Sequence, residues 1–149
     1  MADFTVSTTI DSFMQAADAA TARTAIGVTD PTGVVLSGTT SNNTQTEIFV
    51  DGVTNSRATI STNTTWMFSA MAAARSATES AGYKIEGVIK NDAGTAALVG
   101  VVAKTVFAEE DIAWDITVTA ANNALTFIVT GDSADSVSWE VTLNKTEAT

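Results

Sequence analysis

The chain has 149 residues, one domain's worth with room for a short arm, and its 7 Lys+Arg against 17 Asp+Glu leave a net charge of −10. That balance argues against phosphate-dominated nucleic-acid binding and against electrostatic attachment to an anionic membrane. With no His and no Cys, the chain lacks Ser-His and Cys-His nucleophiles, thiol redox chemistry, disulfides and the ligands of nearly every zinc site, so the composition disfavours catalysis and implies no cofactor.

In chain order, residues 1–31 read as a helical arm. Phe13, Ala17, Ala20 and Thr24 fall on one stripe of a 3.6-residue period, with Thr9 or Asp11 as the N-cap and Arg23 in the last turn. Gly27 and then Asp30-Pro31 close the segment, which predicts one α-helix of about four turns. Its only large apolar residues are Phe13, Met14 and Ile26, and the rest of the apolar stripe is alanine. Small side chains let another backbone approach closely, so the arm either packs against a neighbouring copy or lies across the end of the following domain. Residues 32–45 read as a connector, with Val34-Val35-Leu36 able to form a short strand.

From residue 46 to 149 the period is two. Ile48 and Val50 alternate with Phe49 and Asp51, and Gly52 with Asn55 turns the chain towards a short strand at Arg57–Ser61. Trp66, Phe68, Ala70, Ala72 and Ala74 alternate with Met67, Ser69, Met71 and Arg75. The alanines invite a helical reading, but the leading Thr64-Thr65-Trp66 and the alternation of large residues predict a strand. Tyr83, Ile85, Gly87 and Ile89 form the next strand, Asn91–Gly94 a hairpin loop, and Leu98 to Val106 the return. Strands through Trp114–Val118, Leu125–Val129 and Val137–Leu143 follow, separated by Asn- and Asp-rich turns. The expected fold class is therefore mainly β: an antiparallel, jelly-roll-like sandwich of about seven to nine strands, preceded by one N-terminal α-helix.

Few residues point to chemistry. Glu109-Glu110-Asp111, with Asp115 nearby, is the densest acidic cluster. Consecutive acids between strands read first as a solvated turn, with Ca²⁺ binding or acid–base work on a glycoside as the alternatives. No Ca²⁺-loop, phosphate-loop or dinucleotide-binding pattern is present. Trp66, Trp114 and Trp139 sit in the inward phase of their strands and read as core rather than as sugar-stacking platforms. Met1-Ala2-Asp3-Phe4 opens no secretory signal, and the weakly polar run Ala96–Ala103 is far shorter than the roughly 18 residues of a membrane span.

Two segments carry a resemblance. Thr8–Gly27, with its Asp11, Phe13, Ala16, Asp18, Ala20, Arg23, Ala25, Ile26 and Gly27, resembles a segment that recurs in tail-fibre and other virion proteins of tailed bacteriophages. The stretches Thr46–Gly52, Thr64–Phe68, Gly82–Gly87 and Trp114–Val118 resemble a β-module found at the C-terminal ends of phage structural proteins. The resemblance implies a virion component, commonly a homotrimer, that attaches through its N-terminal segment and presents a β-domain outward. Since arm and β-domain are almost contiguous, a capsid decoration (cement) protein or short head fibre is expected, partnered by the major capsid protein or another virion protein. It would be assembled in the host cytoplasm, without nucleic acid or membrane. The expected docking or oligomerisation residues are Phe4, Ile10, Phe13, Met14, Ala17, Ala20 and Ile26. The alternative is a tail-fibre tip that binds a host-surface receptor or glycan. A carboxylate hydrolase is the weakest reading, since no two acids stand at a defined spacing.

Overall fold

The computed structural model describes residues 33–133 and 135–149. The expected helix and all seven expected docking residues lie outside that range. Within it are nine strands: β1 Val34–Thr40, β2 Thr46–Val50, β3 Ala58–Thr59, β4 Thr64–Arg75, β5 Ser80–Asp92, β6 Thr95–Glu109, β7 Asp115–Ala121, β8 Ala124–Thr130 and β9 Val137–Ala148. Every pairing is antiparallel, and one hydrogen-bonded path runs β3-β8-β2-β1-β9-β4-β5-β6, with β7 on the other side of β8.

The fold is thus mainly antiparallel β, but the separate sheets of a jelly-roll sandwich are joined in one curled sheet, a half-barrel. The joint is β2. Its residues Thr46, Glu47 and Ile48 pair with β8, and Phe49 and Val50 pair with β1, so a five-residue strand changes partner half-way. Gly38 makes the bend possible, since a Cβ there would stand 2.6 Å from Ile48 Cγ2. The stretch expected to be a connector, residues 32–45, contains β1, which lies inside the sheet between β2 and β9. Its Thr- and Gly-rich sequence conceals this because only Leu36 and Thr40 bury their side chains fully.

The alternation read in β4 is realised along its length. Trp66, Phe68, Ala70, Ala72 and Ala74 are buried, and Met67, Met71, Ala73 and Arg75 are exposed. β5 continues the inward row through Tyr83, Ile85, Ile89 and Asn91. At Gly87 the row has a gap, which the in-register Phe68 ring fills. A Cβ on Gly87 would lie 2.9 Å from Phe68 Cζ and 3.2 Å from Val102 Cγ2. Opposite this glycine β6 bulges: Glu86 pairs with Ala103 and Val88 with Val99, so β6 spends two more residues than β5, with Gly100 at φ +73°. A second bulge, between the Gly82↔Ala108 and Tyr83↔Val106 pairs, leaves Phe107 unpaired. Bulges sharpen local twist, and here they curl the β5–β6 ribbon towards β7.

The expected Asn91–Gly94 loop is shorter in the structure. Asp92 still pairs with Thr95, and Ala93 and Gly94 alone form the turn, both at positive φ (51° and 88°). Asn122 and Asn123 (φ 53° and 56°) make the same kind of two-residue hairpin between β7 and β8. The core these strands enclose centres on three large rings. Trp139 stacks on Tyr83 at 6.2 Å and 24°, and Trp114 tilts against Trp139 at 6.1 Å and 58°. Trp66, Trp114 and Trp139 are 3%, 1% and 2% exposed, so all three belong to the core, as their phase predicts.

Candidate interaction surface

The acidic cluster is used in local structure. Tyr83 donates its hydroxyl hydrogen to Glu109. Glu110 Oε2 accepts the Ser80 N–H at 2.7 Å, and Asp111 Oδ1 accepts the Ala113 N–H at 2.8 Å. Asp115 pairs with Lys104 across the seam between β6 and β7. These contacts make the β6–β7 connection a braced turn, the first of the sequence readings. Among the described residues, no group of three or more acidic side chains is arranged to hold a metal ion.

Electrostatics at this end are repulsive. Desolvation and then the nearby Asp111, Asp135, Asp132 and Glu110 raise the Glu79 carboxyl above the ordinary carboxylate range. Burial pushes the Tyr83 hydroxyl up, and the hydrogen bond to Glu109 adds to the effect. At the opposite end the balance reverses. Glu147 accepts hydrogen bonds from Lys145 at 2.8 Å and from Trp66 Nε1 at 2.7 Å, and these hold its carboxyl below the usual range. Lys145 lies 3.7 Å from the Trp66 ring centroid, and Arg57 grips Glu47 with two hydrogen bonds of 2.7 and 2.8 Å.

Of the concavities among the described residues, two lie over the outer face and at the β6–β7 mouth. One, of 630 Å³, runs over the outer face of β1, β9 and β4, with Ser37, Thr39, Ser138, Glu140 and Arg75 along it. The other, of 270 Å³, fills the mouth between β6 and β7, with Ile85, Val102 and Ile116 as its apolar floor and Lys104 at its rim. Neither brings two carboxylates face to face.

The most distinctive surface is apolar. Of the large hydrophobic side chains exposed among the described residues, Met67 and Met71 stand on β4, and Val99, Val101, Val106 and Phe107 on β6. Ile112 follows in the next loop, and Val53 alone lies elsewhere. Met67, Val88 and Val99 stand in one row across the outer face, paired Met67↔Val88 and Val88↔Val99. The sequence pattern predicts β6 as a strand but does not show that Val99 faces outward beside Val88 while Val106 pairs with the buried Tyr83. Apolar residues occupy both phases of Thr95–Glu109, and the bulges shift the phase twice, so periodicity alone does not tell inside from outside.

No family model and no curated protein matches the chain.

Proposed function

We propose that the chain is a structural virion protein of a tailed bacteriophage. It acts as a capsid decoration (cement) protein or short head fibre that binds the major capsid protein, or another virion protein, as a homo-oligomer through residues 1–31. The observation that carries this reading is how the reactive side chains are employed. The carboxylates of the β6–β7 connection tie turns and strand seams, and the tryptophans fill the core. What the β-domain offers a partner is surface: Thr- and Ser-rich on one sector, apolar on another. The likeness of Thr8–Gly27 to virion-protein segments supplies the kind of partner.

The test uses virions of the phage that encodes the chain. Quantitative mass spectrometry is expected to find it in many copies per particle. The full-length chain is expected to co-sediment with capsids that lack it, and Phe13→Glu with Met14→Glu to abolish that binding. Absence from virions overturns the proposal, and a few copies at the tail favour the fibre-tip alternative. That alternative needs a stacking platform for a glycan ring, and the three buried tryptophans do not supply one.

A further inference from the structure

We propose that the outer face of β4, β5 and β6 is a self-association surface, covered by the same face of a second copy of this chain. The inference rests on the described domain alone and does not depend on the virion reading.

Charge singles out the partner. Between Thr64 and Glu109 the four cations Arg75, Lys84, Lys90 and Lys104 balance the four carboxylates Glu79, Glu86, Asp92 and Glu109, so the whole net charge of −10 resides outside this segment. On the outer face itself, Lys84 pairs with Glu86 at 3.0 Å and Lys90 pairs with Asp92. Two copies of so acidic a chain repel each other in most orientations, and a basic partner would be drawn elsewhere on the molecule. The neutral sector is where like can meet like, and it is also where Met67, Met71 and Val99 stand exposed beside Val88.

Size agrees. β4 has 12 residues, and strands rise about 3.4 Å per residue and lie about 4.8 Å apart, so a face three strands wide has a flat footprint of roughly 590 Å². That is below the about 800 Å² per partner of a standard stable interface and at the size of a weak, concentration-dependent association. The apolar part of the face is the Met67–Val88–Val99 row with Met71, flanked by the Lys84–Glu86 and Lys90–Asp92 pairs. A contiguous exposed apolar patch of this kind marks an interaction site.

The contact is face to face, not edge to edge, because the β6 edge is guarded. Two bulges interrupt it, and Lys104, paired in register with the buried Ile85, aims its charge across the seam to Asp115. The Ala96 N–H is already taken by Asn123 Oδ1 at 3.3 Å. Such features block strand addition. Two faces stacked about 10 Å apart would interleave the Met67–Val88–Val99 rows, with the 94% exposed Val101 at the margin.

The absence of cysteine makes the test clean, since one introduced thiol is unique. Full-length Met67→Cys and Val99→Cys are treated with a short bismaleimide, alongside Thr54→Cys on a distant exposed loop. The first two are expected to give covalent dimers and the control to stay monomeric. Sedimentation equilibrium of the unmodified chain is expected to show concentration-dependent association, weakened about tenfold or more by Met67→Glu with Val99→Glu at unchanged circular dichroism. A monomeric wild type, equal cross-linking of all three thiols, or a mass unaffected by the Glu pair overturns the proposal. An oligomer lost instead on Phe13→Glu with Met14→Glu assigns association to the arm and leaves the virion reading standing.

Discussion

At position 131 only a hydrogen fits. A Cβ on Gly131 would stand 2.2 Å from Thr40 Oγ1, the oxygen that accepts the Trp139 Nε1–H at 3.1 Å in the buried core. Gly131→Ala therefore pushes Thr40 aside and orphans the indole as well. A loss of about 2–4 kcal/mol is expected in urea unfolding, from overpacking and one unmade buried hydrogen bond together. A loss below 0.5 kcal/mol, on the same scale, would mean the strand ends move apart freely. That Trp139 belongs to the core was legible from its phase in the sequence. That its partner is Thr40 was not, because the two lie 99 residues apart in a stretch that reads as connector. Tyr83 makes a second residue-scale prediction. Its hydroxyl pKa lies above the ordinary 10.0 when folded, so its contribution is complete below pH 10 and is lost as pH rises further. Alkaline unfolding of Tyr83→Phe should begin at higher pH than that of the wild type, as followed by circular dichroism.

Among the elements, hairpins whose turns are written locally were the most readable. Asn122-Asn123 occupies a turn that needs two positive φ values, and Gly94 supplies one of the pair at the β5–β6 turn. Ala93 at φ 51° is the misfit. Ala93→Asn creates the favoured Asn-Gly turn and should raise stability by about 0.5–1 kcal/mol, seen as a higher urea midpoint at unchanged slope. β1 and β6 were less readable for a shared reason: alternation marks a strand only when its two faces meet different media. β1 has small polar residues on most positions, and β6 is apolar on both faces. The seam beside β6 carries its own prediction. Lys104→Val removes the inward charge that guards the edge and leaves Asp115 unpaired, so aggregation on mild heating should rise, as light scattering would record.

For the whole molecule, the two ends of the half-barrel respond to pH with opposite signs. The Glu79 carboxyl, raised when folded, binds its proton more tightly in the native state. Its favourable contribution is present below 4.5 and lost as pH rises through the folded value. Glu147 is lowered when folded, so its contribution is present above 4.5 and lost as pH falls through the folded value. Glu79→Gln should therefore raise the melting temperature at pH 7 and Glu147→Gln should lower it, both differences shrinking below pH 4.5. Added salt should reduce the gain from Glu79→Gln by screening its acidic neighbours. None of this polarity between ends was legible in the sequence, since Glu79, Glu110 and Asp132 sit on three different connections that only the fold gathers together. The docking residues read from the arm lie outside the described structure, whereas the apolar sector emerged only from strand register.

The place of β9 has a consequence for how the protein is made. It is the last of the nine strands to leave the ribosome, yet it lies in the middle of the sheet, pairing with β1 from Val34↔Leu143 to Thr40↔Val137 and with β4 from Thr65↔Ala148 to Arg75↔Ser138. Until it arrives, the inner margins of β1 and β4 have no mate. Nascent chains are therefore expected to resist compaction until β9 has emerged, and then to gain protection from protease in a single step rather than hairpin by hairpin.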